Sequence, residues 1–294
     1  MTASIKQPES VEDGVCVVPL GSWKEFLPYV IESHVDDSHF YRGQIDAQWN
    51  IISALDRLEK RFPTTPNACG SDPPYCSYSP ATRDQHLEAF KEAVRGKRID
   101  RLDVLSPNEW WALAQHHGLA TPLLDWTYSP FIALFFAFEE AGYVSVSEET
   151  KKFVEPETRA VYVVPFHFFE PSKATQEHPV PEVFSLRREI TYRVSSQRGV
   201  FMKMPKGEDL ESNVRARFAG ETTGSTFARA ILTKILIPST GRTDCLRLLD
   251  KMNINRMSLF ADLDGAARYI NELWELDFRT PLGAVPEGVT NNAT

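Results

Sequence analysis

The segment PFIALFFAFEEA, from Pro130 to Ala141, constrains the fold more than any other part of the 294-residue chain. Ser129 can cap a first helical turn and Pro130 fits the first helical position, so the pattern predicts a helix that begins at Pro130 and closes at Gly142. Its first two turns are apolar on every side, so other elements must cover them on every side. The longest apolar run, Phe131 to Phe138, is far shorter than the roughly 20 residues that cross a bilayer, and we expect no membrane segment.

Further elements follow from similar local rules. Ser106-Pro107-Asn108-Glu109 forms a capping box at the start of a helix that should end at Gly118. Helical patterns also occupy 82–97, 244–252 and 263–276, and strand patterns occupy 123–126, 160–166, 199–204 and 230–237. Helices therefore come early, strands in the middle and helices late. This order predicts an α+β fold, a single compact mixed domain with a central sheet flanked by helices.

The predicted domain extends over residues 15–278. We expect flexible tails at 1–14 and 279–294, and a surface loop at 63–80, which is dense in Pro, Ser and Asn. The N-terminal sequence MTASIKQPES has no apolar core, which argues against a secretory signal and for a cytoplasmic protein. The four cysteines form no CxxC motif and have no His at ligand spacing, so we expect reduced thiols and no metal; a Cys69–Cys76 disulfide or zinc half-site stays open.

The charge balance bears on possible partners. Asp and Glu number 40 against 32 Lys and Arg, a net charge of -8. This argues against a broad nucleic-acid-binding face, although a small basic pocket is compatible with it. The oligomeric state is left open by the sequence.

Three segments could carry chemistry. In Tyr41-Arg42-Gly43-Gln44, the Arg offers a rigid fork of donors for phosphate or carboxylate, and the Gly allows a close approach of ligand or backbone. An Arg tied to an internal carboxylate is the structural alternative. The segment Ala114–Pro130 places polar groups between two apolar stretches, where a strand meets a helix N-terminus that could hold an anion. The third segment, Glu189–Phe201, holds Arg, Gln and Gly just before a strand, and a polar loop is its structural alternative.

Together these segments resemble the FRG domain family, over roughly residues 21–276. The first segment matches the family's [F/Y]-R-G motif, and Gln115 to Ala137 match its strongest motif, which includes Leu-Leu-Asp-Trp-Thr. Arg193 to Phe201 match a third motif. One position departs from the pattern: Pro122 stands where the family usually has Arg, which bears on ligand binding and activity here.

The family's motif order is similar to that of ADP-ribosyltransferase-like folds. That resemblance implies NAD as a substrate, with Arg42, Asp125 and Gln197 in catalytic positions and Glu189 as the alternative to Gln197. It implies that Arg42 holds a phosphate or the nicotinamide ribose, and that Trp126 or Tyr128 stacks on nicotinamide. The residues it implies for binding NAD are Tyr41, Gly43, Gln44, His116, Trp126, Thr127 and Ser129.

Three functions remain in competition. The first is an NAD-using transferase or NAD hydrolase, a bacterial toxin or phage-defence effector whose acceptor is a protein, a nucleic acid or water. The second is a non-catalytic module that senses a nucleotide or binds a protein, which the departure at Pro122 favours. The third is a nuclease using His116, His117 and Asp125, although no carboxylate set for two metals is evident.

Overall fold

A computed structural model describes residues 11–33, 39–62, 82–96, 105–146, 151–166, 178–186, 196–220, 222–223, 231–260 and 262–276. The strands are β1 (Val11–Glu12), β2 (Val15–Pro19), β3 (His39–Gln44), β4 (Leu123–Thr127), β5 (Tyr143–Val146), β6 (Lys151–Val154), β7 (Thr158–Pro165), β8 (Glu182–Phe184), β9 (Gly199–Lys203), β10 (Thr222–Thr223) and β11 (Leu232–Pro238). The helices are α1 (Phe26–Ser33), α2 (Ala54–Arg61), α3 (Arg83–Ala93), α4 (Pro107–His116), α5 (Pro130–Phe138), α6 (Leu210–Arg217), α7 (Arg242–Lys251), α8 (Arg256–Leu259) and α9 (Leu263–Glu275), and a 3-10 turn (Trp23–Glu25) precedes α1.

The predicted α+β fold is confirmed. Nine strands form one mixed sheet in the order β10-β1-β2-β11-β7-β3-β4-β9-β8, and β5 pairs with β6 in a separate hairpin. The β2–β11 pair is parallel and the other pairs of the large sheet are antiparallel. The sheet draws on residues 11 to 238, so distant segments of the chain meet in one layer.

The sheet is nearly divided between β3 and β4. Strand β3 pairs with β7 along its whole length, from His39 to Gln44, and β4 pairs with β9 along its whole length. Between β3 and β4 there is one pair, Tyr41 with Thr127. The residues that follow Tyr41 and those that precede Thr127 therefore line a gap within the sheet.

Helices cover both faces of the sheet. On one face, α1, α5 and α7 pack a core against β3, β7 and β11, with Phe26, Phe135 and Ile235 among its buried members. On the other face, α6 packs against β4, β7 and β9. A third cluster joins α2, α3 and α4 to Leu123 and Phe201.

Helix α5 lies directly on β3, and Gly43 makes this possible. A Cβ at position 43 would stand 2.0 Å from the carbonyl oxygen of Ala133 and 2.5 Å from the amide nitrogen of Ala137. Both are backbone atoms of α5, so any larger residue would push the helix away from the strand. A glycine at this position predicts the close approach of a ligand or of another backbone, and in the structure that backbone is helix α5.

The apolar helix is buried as predicted, but it is shorter. Its buried residues are Ile132, Ala133, Leu134, Phe135, Ala137 and Phe138. The helix ends at Phe138 because Arg159, which has no solvent exposure, donates hydrogen bonds to the carbonyls of Ala137 (2.6 Å), Glu140 (2.8 Å) and Ala141 (2.9 Å). Gly142 is small for a different reason than helix closure: a Cβ there would meet the carbonyl of Val154 at 2.2 Å.

The remaining predicted elements are found with shifted ends. The capping box of Ser106 and Glu109 is present, and Gly118 has a φ of +88° after α4. Strand β1 lies inside the segment 1–14 that the sequence analysis assigned to a tail. The loop predicted at 63–80 and the tail predicted at 279–294 lie outside the described residues, and the domain limits stay predictions.

Candidate functional site

A cavity of about 1010 Å³ opens at the gap between β3 and β4. Its walls come from both strands, from α2, α4 and α5, and from the segments around residues 197 and 260. Arg42, Asp125 and Gln197, which the sequence analysis predicted to share a site, all line it. Of the other predicted residues, Tyr41, Gly43, Gln44, His116, Trp126 and Thr127 line it as well.

Arg42 bridges the two strands. Strand alternation places it on the sheet face of its partner Tyr162, and its Nη1 donates to the carbonyl oxygen of Asp125 at 2.6 Å. The side chain thus satisfies a backbone acceptor beside the gap. Its Nε is buried and has no hydrogen-bond partner among the described residues. Burial lowers the pKa of the Arg42 guanidinium, with Asp125 opposing this and Arg57 adding to it.

A second guanidinium, that of Arg57 on α2, lines the same cavity. Its Nη1 donates to the carbonyl of Ile52 at 2.6 Å. Within the described part of the chain, neither Arg42 nor Arg57 takes part in a salt bridge. Two neighbouring guanidiniums that form no salt bridge in this part of the chain favour an anionic ligand, although the Asp125 and Asp56 carboxylates are near enough to act on them electrostatically.

Asp125 is held by a chain of hydrogen bonds that explains the strongest sequence motif. The hydroxyl of the fully buried Thr121 donates to Oε1 of Gln115, and Nε2 of Gln115 donates to Oδ1 of Asp125 at 2.7 Å. Asp125 itself is exposed on β4. The motif residues Gln115, Thr121 and Asp125 are therefore one unit that fixes the direction of a carboxylate at the cavity.

Thr127 and Gln197 join the end of β4 to the segment before β9. The Thr127 hydroxyl donates to the carbonyl of Gln197 at 2.7 Å and accepts from the amide of Ser129 at 3.0 Å. The side-chain amide of Gln197 donates to the carbonyl of Leu259 at 3.1 Å. Gln197 thus lies in the cavity wall, with one of its donors engaged in holding α8. Glu189, the alternative, lies outside the described residues.

The side chain of Gln44 holds the loop that forms one wall of the cavity. Its Nε2 donates to the carbonyls of Asp46 (3.1 Å) and Trp49 (2.6 Å), so it shapes the loop that forms one wall. The same loop is held from outside, because the hydroxyl of Tyr143 donates to Oδ2 of Asp46 at 2.8 Å. The two donor hydrogens of Gln44 are therefore used inside the protein.

Three further predicted residues, Ser129, Trp126 and Tyr128, have the following surroundings. Ser129 does not line the cavity; its hydroxyl caps α5 by accepting from the amide of Ile132. The ring of Trp126 is 3% exposed and belongs to the apolar cluster beneath the sheet, because alternation turns it away from the side of Asp125 and Thr127. Tyr128 packs edge-on against Phe40 and is absent from the cavity walls. Tyr128 is therefore not placed to stack on a ligand in the cavity, whereas Trp126 contributes to the cavity wall with little of its surface exposed.

Residues that the sequence analysis did not propose also line the cavity. They include Arg57 and, at the far end of α5, Phe136 and Glu139, with Phe260 beside them. The rings of Phe136 and Phe260 meet edge to face at 6.1 Å. Glu139 directly follows the apolar helix α5, and a carboxylate next to an apolar run is a sequence signal for a buried charge. Nothing in the sequence indicates that α5 ends at a cavity.

The described residues give two further findings about site chemistry and location. They contain no group of three or more His, Cys, Asp or Glu side chains arranged to hold a metal ion. Among them, no helix combines the length and apolarity needed to cross a membrane. Cys16 and Cys245 are buried free thiols, whereas Cys69 and Cys76 lie outside the described residues.

The architecture is thus that of a mixed α+β protein with a cavity at a divided sheet. Residues 37–144 match the family model of the FRG domain, so the chain contains an FRG domain. The matched stretch covers a little over a third of the chain, less than the range 21–276 that the motifs suggested, and the third motif lies outside it. It includes β3, β4 and α5 and hence both edges of the gap. Comparisons with curated proteins and with solved structures find no match.

Proposed function

We propose that this protein is an NAD-consuming enzyme, either an ADP-ribosyltransferase or an NAD glycohydrolase, acting as a bacterial toxin or phage-defence effector. The observation that carries the proposal is the cavity at the β3–β4 gap. Arg42 and Arg57 both line it, and neither forms a salt bridge among the described residues. Guanidiniums that line a cavity without a salt bridge are suited to bind phosphate oxygens, which accept their N–H groups in bidentate geometry.

The size and walls of the cavity support a dinucleotide. Ligand cavities commonly hold roughly 300–1,000 Å³, and this one, at about 1010 Å³, is at the upper end. Its walls combine two cations with amides, a carboxylate and exposed ring surface at Trp49, which is 40% exposed. Arg42 and Arg57 would hold the phosphates, and the Asp125 carboxylate, held by Gln115, would stabilise positive charge that develops on the ribose.

Nicotinamide release tests the proposal. The full chain is incubated with NAD, free nicotinamide is measured by chromatography, and proteins from a bacterial lysate are examined for added mass. We expect the wild type to release nicotinamide and the Arg42→Ala and Arg57→Ala variants to lose most of this activity. Arg61→Ala is the matched control, since Arg61 lies on α2 one turn from Arg57 and is likewise exposed, but is outside the cavity walls.

A non-catalytic nucleotide sensor is the second candidate, and one contact favours it. The Gln197 amide donates to the Leu259 carbonyl, so it is less available to a ribose than a catalytic position requires. A sensor predicts that NAD raises the melting temperature of the wild type but not of Arg42→Ala, with no nicotinamide released. Absence of both release and a thermal shift would refute both functions.

A further inference from the structure

We infer that Glu139 is the general base that accepts the proton of the attacking nucleophile in this cavity. The inference deepens the proposed function and rests on it. Glu139 directly follows the last residue of α5 and lines the cavity beside Phe136 and Phe260. The contact of α5 with Gly43 places this end of the helix against β3, the strand that carries Arg42.

Two arginines, Arg256 and Arg242, hold Glu139 in place. Its Oε2 is buried and lies 3.1 Å from Nη1 of Arg256, an ion pair without the alignment of a hydrogen bond. Its backbone carbonyl accepts from Nη2 of Arg242 at 2.6 Å. The Glu139 side chain is 17% exposed although its Oε2 is inaccessible. The accessible surface therefore belongs to its other side-chain atoms. The residue lines the cavity.

The charge balance around Arg256 suits a base. Arg256 also donates to Oε1 of Glu140 at 2.6 Å and lies 3.6 Å from Oε2 of Glu272, so three carboxyl groups share one buried guanidinium. Burial raises the pKa of Glu139 to about 7; Glu140 and Glu272 contribute to the rise, whereas Arg256 and Arg268 oppose it. A carboxyl that titrates near neutral pH can both accept and return a proton during turnover.

In the proposed step, a bond from C1′ of the ribose to oxygen replaces the bond from C1′ to nicotinamide. The bond between C1′ of the ribose and the nicotinamide nitrogen breaks, and its electron pair leaves with nicotinamide, which becomes neutral. An oxygen of water or of an acceptor hydroxyl forms the new bond to C1′. That oxygen gives its proton to the Glu139 carboxylate, which later releases it to solvent.

Glu272 provides a matched control. Burial raises the pKa of Glu272 to about 7 as well, and the residue contacts the same Arg256, but it is absent from the cavity walls. Glu139→Gln and Glu272→Gln therefore make the same chemical change in the same cluster, and only the first alters a cavity-lining group.

The experiment compares kcat, KM and pH profiles for nicotinamide release, together with the thermal shift caused by NAD. We expect Glu139→Gln to lower kcat about 100-fold or more, the contribution typical of a general base. KM and the NAD-induced shift should change less than about 3-fold, and the fall in wild-type kcat below about pH 7 should disappear. Glu272→Gln should keep kcat within about 3-fold of wild type.

The outcomes separate the two proposals. If the wild type releases nicotinamide and Glu139→Gln is equally active, or if both variants lose activity to the same extent, Glu139 is not the base. If the wild type releases none, the proposed function fails and the role of Glu139 fails with it. Loss of the NAD-induced shift in Glu139→Gln alone would also overturn the inference, because it would make Glu139 a binding residue.

Discussion

Replacing Gly43 by Ala tests the packing that places α5 on β3. A glycine in an ordinary backbone conformation usually gains about 0.4–1 kcal/mol of stability on replacement by alanine, because the unfolded chain loses freedom. Gly43 is not among the glycines with positive φ, so this rule predicts stabilisation. The contacts of Gly43 with α5 predict the opposite, a loss of stability on replacement by alanine.

The magnitude follows from the contact. The added Cβ would lie 2.0 Å from the carbonyl oxygen of Ala133, about 1.4 Å below the 3.4 Å at which ordinary contact begins. Helix α5 would have to retreat from the strand, and six buried side chains would lose packing with it. Overpacking costs about 1–3 kcal/mol, and because both obstructing atoms are helix backbone we expect about 3 kcal/mol or more.

Urea unfolding followed by tryptophan fluorescence and circular dichroism measures this loss, and the melting temperature should fall by roughly 6 °C or more. Gly21→Ala is the control, since its Cβ would meet only the flexible carboxylate of Glu25 at 2.9 Å, and it should stay within about 1 kcal/mol of wild type. If Gly43→Ala is as stable as the wild type, the close approach of α5 to β3 is not as described.

Three further perturbations have defined outcomes. Arg159→Met leaves the carbonyls of Ala137, Glu140 and Ala141 without their buried donor, and at about 1–3 kcal/mol for each unsatisfied group it should cost about 3 kcal/mol or more in urea unfolding. Thr121→Val removes the donor to Gln115 and should cost about 1–2 kcal/mol by the same assay, with a loss of NAD binding measured calorimetrically. Since the pKa values of Glu139 and Glu272 are raised from 4.5 to about 7, the fold favours their protonated forms; this stabilisation is complete below about pH 4.5 and is lost as the pH rises through about 7. Each of the two groups should thus lower the unfolding free energy by about 2–3 kcal/mol from about pH 5 to about pH 8, so Glu139→Gln should lose about half of the total fall.

Local signals account for the elements that the sequence predicts well. The capping box at Ser106, the cap at Ser129 and the continuous apolar run after it depend on neighbours a few residues apart. For this reason α4, β4 and α5 begin where they were predicted. The end of α5 was misplaced because it depends on Arg159, which is about twenty residues further on and belongs to a buried strand.

The cavity depends on register, which no local pattern shows. The motifs around Arg42 and Asp125 predict chemistry, but the single pair between β3 and β4 decides that the two residues lie at a gap, where the Arg42 side chain reaches the Asp125 carbonyl. Alternation along β4 likewise decides that Trp126 enters the core while Asp125 faces outward. Sequence alone could not distinguish a ring that stacks on a ligand from one that fills the core.

The buried charges at the end of α5 are compatible with a chemical role as well as with packing. A buried ion pair is often no more stabilising than well-packed apolar residues of similar volume. Arg159 has a structural role, because it satisfies carbonyls that the end of the helix leaves free. The carboxyl of Glu139 also has a structural partner, because its Oε2 forms an ion pair with the buried Arg256, but burial opposes its ionisation. A buried carboxyl that lines the cavity beside such a pair supports the proposed role of Glu139 as a base.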